Sequence, residues 1–416
     1  MLFAFYAVYF LHSIIRHVNA VAATLPQEER LAKQAGINID PSHFQQPLPP
    51  AQINAASDIN KLTELLKKRP LTVKQDEALK SLPNPNCSTA QVDIACKTVT
   101  QRGDLMKIVT DAASKPDCVF KHEWQHSFKI KFPEIETIRT AVLMIYAKSL
   151  LQFRRRNWSL AIKTLGLGFK LSKCLESDQT LLALLVESNL NYNTLIEMQT
   201  ILHRYASNPE AVRLIVDTIT YSMGDMNIKG AVQGEIIMGI SACGEVIHKN
   251  ELTDITDSKQ KAMLHHLARK AFLDAGLAIY LKEMISLYQA ACINSPDRTQ
   301  SLVTAYNRIQ QDIHHAAKTH DVAWILPIVF MPVSNPGWLG GGVYTERNVL
   351  LASAAVLEYH SKHGSYPASL NIIAPETLHP VMGNPVIYHR EKNGFTVTGT
   401  SQPMDLRGAK VAFKYP

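Results

Sequence analysis

The sequence has no concentrated block of charge of either sign. Charged residues make up 19% of the 416 residues, and the formal net charge of +7 is spread along the chain. The longest basic run, Arg154 to Arg156, has only three residues and lies in a helical pattern. A solvated helix face accounts for such a run better than a surface that follows nucleic-acid phosphates. Nucleic-acid binding is therefore not expected. A hydrophobic fraction of 46% indicates a folded chain, and 416 residues are enough for two or three domains.

Several motifs that carry enzyme chemistry are also missing. The sequence has no G-x-S-x-G nucleophile elbow and no paired-carboxylate signature. Gly340-Gly-Gly342 precedes a helical run but lacks the Lys-Ser/Thr that completes a phosphate-binding loop. We interpret it as a flexible hinge. No 34-residue period recurs, so the helical part is predicted to be a bundle without repeats.

Cysteine is sparse, and its six residues divide into two sets. Cys87, Cys96 and Cys118 lie in a loop-rich stretch that contains prolines, where a disulfide would hold irregular chain in an oxidising compartment. Cys96 is predicted to pair with Cys118 or with Cys87, whereas free thiols would favour a cytoplasmic body. The other three are interpreted as small buried apolar residues of helices: Cys174, Cys243 and Cys292.

Residues 1–23 are predicted to be a membrane anchor or a signal-like segment. Apolar and aromatic residues run from Leu2 to Ile15, Arg16 and His17 interrupt them, and residues 18–23 are largely apolar again. The total is near the ~20 residues that cross a bilayer, although the uninterrupted part has the length of a signal peptide. The alternative is a buried N-terminal helix of a soluble protein. Positive residues only after this segment would keep the body in the cytoplasm.

The middle of the chain is predicted to be a helical bundle. A connector over residues 24–60, which contains a Pro-rich stretch, and a mixed helix and loop region over residues 61–135 precede the bundle of residues 136–335. Apolar residues at helical spacing, with short polar or Gly/Pro breaks, predict helices over residues 138–153, 157–175, 179–205, 209–223, 232–247, 259–288 and 301–320. Short loops between helices favour antiparallel packing.

Residues 343–416 are predicted to form a helix packed on a small antiparallel β element. The helical run of residues 347–363 ends at Gly364, and Pro367 follows. Strand-like residues at 385–390 and 394–399 flank Asn393-Gly394, a pair that favours a short hairpin turn because both residues tolerate positive φ. The expected fold class is mainly α, a helical bundle with an N-terminal membrane anchor and this C-terminal element.

The C-terminal pattern resembles the end of a type II secretion major pseudopilin, where a helix reaches a G-x-Y-P turn and a G-F strand follows. Here these are Gly364-Ser-Tyr-Pro367 and Gly394-Phe395. Most of the chain is similar to a family of uncharacterised membrane-anchored bacterial proteins, with comparable residues at Cys118, Trp124, Phe132-Pro133, Ala161 and Gly234-Glu235. This resemblance implies a bacterial inner-membrane protein with its body outside the cytoplasm, and it implies no activity.

One stretch matches a metal-binding motif. His122-Glu-Trp-Gln-His126 is H-E-x-x-H, which on a helix places two imidazoles on one face for zinc and leaves Glu123 as the general base. Pro116 just upstream and the strand-like alternation from Phe128 to Phe132 leave little room for that helix. No motif supplies a third ligand, and Glu187 is only a generic candidate. We therefore predict no metal and no catalytic residue here.

The function expected from these patterns is that of a non-enzymatic, envelope-anchored helical scaffold or accessory subunit that binds a protein partner. Its partners would be the membrane, through residues 1–23, and another envelope protein. No cofactor is expected. The alternative is a zinc metallopeptidase that uses His122, Glu123 and His126.

Overall fold

The computed structural model describes residues 2–84, 86–125, 130–249, 269–293, 297–319, 321, 335–373, 386–399 and 411–415. The helices are α1 (Leu2–Ala22), α2 (Leu25–Gln34), α3 (Ala56–Lys68), α4 (Val73–Ser81), α5 (Thr89–Gln101), α6 (Gly103–Ser114), α7 (Pro133–Arg154), α8 (Trp158–Lys173), α9 (Leu181–Arg204), α10 (Pro209–Ser222), α11 (Ile228–Lys249), α12 (Arg269–Ala291), α13 (Arg298–Thr319) and α14 (Pro336–His363). The strands are β1 (Val386–Arg390), β2 (Phe395–Gly399) and β3 (Val411–Tyr415). The predicted class, mainly helical with a small C-terminal antiparallel sheet, is confirmed.

The starts of the helices are fixed by polar side chains that replace missing backbone partners. Thr72 before α4 and Ser88 before α5 each form a reciprocal capping box with the glutamine three residues later. Asn208 accepts from two backbone N–H groups at the start of α10, where Pro209 occupies the first helical position. Such caps satisfy donors that a helix cannot satisfy internally, and the start of α10 at Pro209 agrees with the helix predicted over residues 209–223.

Three consecutive helices, α7, α8 and α9, pack on one another to form the centre of the hydrophobic core. Tyr146 on α7 is fully buried, and its hydroxyl donates to the Leu190 carbonyl of α9 at 2.6 Å. The same hydroxyl lies 2.9 Å from Thr194 Oγ1. Helices α3 and α5 pack on α7 from the N-terminal part of the chain, and α14 packs on α9 from the C-terminal part. Both ends of the sequence therefore converge on this core.

The N-terminal helix lies against protein. Val18 of α1 is buried beside Ala275 of α12, and Ile14, Val21 and Phe272 surround the contact. Within the part of the chain that the structure describes, no helix combines the length and the apolar character that a bilayer crossing requires. The predicted membrane anchor is therefore not supported.

The C-terminal element differs from its prediction in three details. Helix α14 begins at Pro336, eleven residues before the predicted run, so the glycines interpreted as a hinge, Gly340 to Gly342, lie inside it. The loop between β1 and β2 has four residues, because Arg390 pairs with Phe395 and Glu391 N–H donates to the Gly394 carbonyl. The third strand, β3, pairs antiparallel with β2 and was not predicted. The sheet packs on α14 through Phe395 and its neighbours.

Gly234 marks the closest approach between α11 and the chain before α9. A Cβ atom at this position would lie 1.5 Å from the backbone oxygen of Gln179. Gln179 itself has a left-handed backbone with φ of 45°, which turns the chain between a short 3-10 helix, Cys174–Asp178, and α9. The absence of a side chain at Gly234 therefore allows α11 to support this turn.

We expect Gly234→Ala to destabilise the protein by about 3 kcal/mol or more, because backbone must move to admit the methyl group. Gly342→Ala is the matched control: nothing lies within 4 Å of the added carbon in α14. This control should stabilise the helix by about 0.5–1 kcal/mol, since alanine loses less backbone freedom than glycine. Urea unfolding of both variants measures the difference, and equal stabilities would contradict the close approach.

Candidate functional site

Residues 117–123, which lead into the H-E-x-x-H motif, form a non-helical segment that we call the extended segment, and Trp124 and Gln125 form a turn. Asn54 and Asp117 form an isolated parallel bridge, and the Asn54 amide both donates to the Val119 carbonyl at 3.0 Å and accepts from the Val119 N–H at 2.9 Å. Further along, Gln45 Oε1 accepts from the His122 N–H at 2.8 Å, and its Nε2 donates to the Phe120 carbonyl at 3.1 Å. Two side-chain amides thus replace a neighbouring strand and fix the direction of the chain.

This geometry corrects the motif interpretation. His122 and Glu123 lie in the extended segment, and His126 falls outside the described residues. The Glu123 residue is exposed, whereas the His122 side chain is 5% exposed. Neighbouring side chains of extended chain point in opposite directions, so Glu123 cannot serve as the base beside an ion bound at His122. The arrangement of a helical metallopeptidase motif is not present in residues 122–125.

His122 instead meets two carboxylates that are distant in sequence. Its Nε2 lies 3.0 Å from Asp178 Oδ1 and 3.7 Å from Glu134 Oε1. The two acidic side chains are 0% and 4% exposed, respectively. We call His122, Glu134 and Asp178 the His122 centre. It joins the extended segment, the first turn of α7 and the 3-10 helix Cys174–Asp178.

The two acidic residues are placed by local rules of chain geometry. Pro133 occupies the first position of α7, where its missing N–H costs nothing, and Glu134 follows in the first turn, where the helix dipole favours a carboxylate. Asp178 ends the 3-10 helix just before the left-handed Gln179, and Thr180 then caps α9. The turn supported by Gly234 is therefore the turn that presents Asp178 to His122.

Aromatic rings close the centre from the side of the extended segment. The His122 ring lies 4.9 Å from that of Phe132 and 5.5 Å from that of Trp124, both in edge geometry. Trp124 in turn packs edge-on against Phe44 of the connector, with the two rings 4.8 Å apart. These rings remove water from around the imidazole and lower the local dielectric, which strengthens each electrostatic interaction there.

The pKa values of both carboxyl groups in the centre are raised. Burial raises the pKa of Glu134 to about 7, and the nearby Asp178 carboxylate adds to this shift. Burial also raises the pKa of Asp178, while the contact with His122 opposes that rise. Glu134 Oε1 and Asp178 Oδ2 are buried and have no hydrogen-bond partner among the described residues. The centre therefore holds two acids, one imidazole and lone pairs that nothing in the described part of the chain satisfies.

Two thiols lie beside the centre. The contact of Cys118 with the Cys174 thiol and its burial both raise the pKa of Cys118, and the carboxylates of Asp178 and Glu134 add to the effect. The predicted bridge from Cys96 to Cys118 or Cys87 is not formed, and all six cysteines, each in a described part of the chain, are free. The Cys96 thiol instead faces the Ala147 carbonyl on α7 at 3.6 Å, and Cys87 lies 3.3 Å from Ser81 Oγ.

Sequence reasoning found His122 but missed both of its acidic neighbours. Glu187, the generic third ligand, is buried on α9, where burial raises its pKa, Glu176 adds to the rise and a hydrogen bond with Asn191 opposes it. The signal for Glu134 was its place in the first turn after Pro133. Asp178 had no such signal, because only the fold brings the 3-10 helix to the extended segment.

Comparison of the chain with known protein families, with curated proteins and with solved structures finds no match. The site is therefore interpreted from its own geometry.

A second buried carboxyl group, Glu235, supports the same turn from α11. Its Oε1 accepts from the Leu181 N–H at 2.9 Å, and its backbone carbonyl accepts from the Tyr280 hydroxyl at 2.6 Å. Burial raises the pKa of Glu235 above its ordinary value of 4.5, and the hydrogen bond from Leu181 opposes that rise. Glu235 thus completes the start of α9 next to Gln179.

We expect Glu235→Gln to keep the acceptor and to become more stable relative to the wild type as pH rises above 4.5. The folded wild type retains a proton that the unfolded chain releases, so its stability falls as pH rises towards the folded pKa, and glutamine has no such loss. Glu235→Ala removes the acceptor and should cost about 1–3 kcal/mol throughout. Urea unfolding between pH 5 and 8 tests both; a wild-type-to-glutamine difference that does not vary with pH would contradict the buried carboxyl.

Proposed function

We propose that this chain is a non-enzymatic helical scaffold or accessory subunit that binds a protein partner. The observation that carries the proposal is the burial of the His122 centre. Its side chains are between 0% and 5% exposed, and rings of Phe132 and Trp124 flank the imidazole. A substrate cannot reach groups in this position without displacing the core, whereas a centre that links three segments supports a rigid framework.

The metallopeptidase alternative has less support. Such an enzyme needs two imidazoles on one helical face and a glutamate beside the bound water. The described part of the motif, residues 122–125, is not helical, and Glu123 is exposed to solvent. The resemblance to envelope proteins supports a location at the cell envelope. Several of its residues, among them Trp124, Phe132 and Gly234, lie around the His122 centre.

The surface offers apolar side chains that a protein partner would cover. Leu182 and Leu185 lie one turn apart on α9 and are 52% and 40% exposed, and Tyr221 at the end of α10 is 82% exposed. Scattered exposed apolar residues are normal, but aromatic side chains of this exposure often anchor interfaces. They are the positions at which contact with a partner is most readily detected.

We expect a photo-crosslinking amino acid at Leu182 or Tyr221, introduced in the producing cells, to yield one discrete adduct with another protein. The same residue at Lys163, an exposed polar position of α8, is the matched control and should give little adduct. Denaturing electrophoresis and mass spectrometry identify the adduct. Adducts that are absent, or equal at all three positions, would contradict a specific partner at these surfaces.

The distinction from an enzyme is tested on the purified protein. Glu123→Gln should leave thermal stability and secondary structure unchanged, because the Glu123 side chain is exposed. Peptide hydrolysis by the wild type that this substitution abolishes would overturn the scaffold proposal and favour the metallopeptidase.

A further inference from the structure

We infer that His122, Glu134 and Asp178 together bind one divalent first-row transition metal ion, with zinc held more tightly than manganese. One ligand atom from each of the three side chains lies within 4.8 Å of the other two. The three residues come from separate segments, so a shared ion would link the extended segment, α7 and the 3-10 helix. This inference stands on the geometry of the centre and does not depend on the scaffold proposal.

The distances suit a common ion. Zinc binds imidazole nitrogen and carboxylate oxygen at about 2.0–2.2 Å, so two ligand atoms on a tetrahedral ion lie roughly 3.4 Å apart. His122 Nε2 is 3.0 Å from Asp178 Oδ1 and 3.7 Å from Glu134 Oε1. These separations lie on either side of the expected value. The third separation, between the two carboxylate oxygens, is at most 4.8 Å, and the three atoms would draw closer together around a shared ion.

A positive partner would also offset the charge of the two buried carboxylates. Among the residues that the structure describes, no lysine or arginine pairs with Glu134 or Asp178, and His122 is the only basic group in ion-pair distance. Glu134 Oε1 and Asp178 Oδ2 remain buried without a hydrogen bond from the described residues. Two carboxylates, a neutral imidazole and a divalent cation sum to zero charge. A bound ion would therefore relieve a burial that is otherwise unfavourable.

The imidazole is held in place before any ion arrives. Gln45 fixes the backbone at His122 through the 2.8 Å bond to its N–H, and the rings of Phe132 and Trp124 restrict the side chain. Neighbouring residues that fix the orientation of a metal-binding side chain raise the affinity for the metal, because that side chain loses less conformational freedom when the ion binds. The site is thus built by its surroundings as well as by its three ligands.

The ligand types select the metal. An imidazole with two carboxylates suits first-row transition metals, whereas magnesium and calcium prefer sites made only of oxygen. The Irving–Williams order places zinc above manganese for such a site. The fourth position would hold water.

The test uses the full chain, stripped with a chelator and dialysed. Titration with zinc chloride, followed by elemental analysis after gel filtration, should give about one equivalent bound and an increase in the thermal midpoint. Asp178→Asn and the isosteric Glu134→Gln should each weaken zinc binding at least 10-fold. Circular dichroism of each variant shows whether it folds. If Asp178→Asn does not fold, the test rests on Glu134→Gln, which preserves the size and shape of the side chain.

Two controls separate this centre from the sequence motif. Glu123→Gln and His126→Asn change the remaining motif residues and should both keep the wild-type affinity for zinc. Binding of far less than one equivalent by the stripped wild type would overturn the inference. Unchanged affinity in the folded Glu134→Gln and Asp178→Asn variants would do so as well. Loss of zinc in His126→Asn alone would assign the ion to the motif and overturn the centre proposed here.

Discussion

The contact between His122 and Asp178 connects an irregular segment to the helical core, and the elements around it are arranged so that this contact can be buried. A polar contact away from water costs desolvation energy, which is recovered only when its geometry is good and the other lone pairs of its atoms are satisfied. The 3.0 Å approach of Nε2 to Oδ1 meets the first condition. The second condition is not fully met, because Glu134 Oε1 and Asp178 Oδ2 have no hydrogen-bond partner among the described residues. The centre is stable only because the surrounding framework holds all three side chains together.

That framework depends on backbone groups finding partners outside regular structure. A helix satisfies its own N–H and carbonyl groups, but the extended segment before α7 has no neighbouring strand along most of its length. The amides of Asn54 and Gln45 fill this role, each with one donor and one acceptor. On the opposite side, Gly234 and Glu235 of α11 hold the turn after Asp178. The polar side chains of Gln45, Asn54 and Glu235, together with the close approach at Gly234, therefore hold the two sides of this contact in place.

Features set by interactions between residues close in sequence were predicted well, whereas those set by residues distant in sequence were not. Helices α7 to α10 were predicted to within a few residues, except that the predicted start of α7 was five residues late, because periodic apolar residues and capping groups act locally. Gly340 to Gly342 were misread as a hinge, because two of them pack closely inside α14: a Cβ at Gly340 would lie 3.1 Å from Ile228 Cδ1, and one at Gly341 would lie 3.2 Å from Thr299 Cγ2. In the site, His122 was recognised from a motif, but its partners Glu134 and Asp178 lie 12 and 56 positions away. No local pattern encodes that meeting.

The packing of α1 on α12 has a consequence for the order in which the chain folds. Val18 and Ala275 touch across more than half of the sequence, and Gln199 of α9 donates to the Ala412 carbonyl of β3 at 3.2 Å. Among the described residues, the apolar cluster around Val18 is completed by α12, so during synthesis this cluster stays incomplete until α12 has left the ribosome. At about 5–20 residues per second, that interval lasts tens of seconds. The nascent N-terminal helix is thus a natural substrate for a chaperone throughout that time.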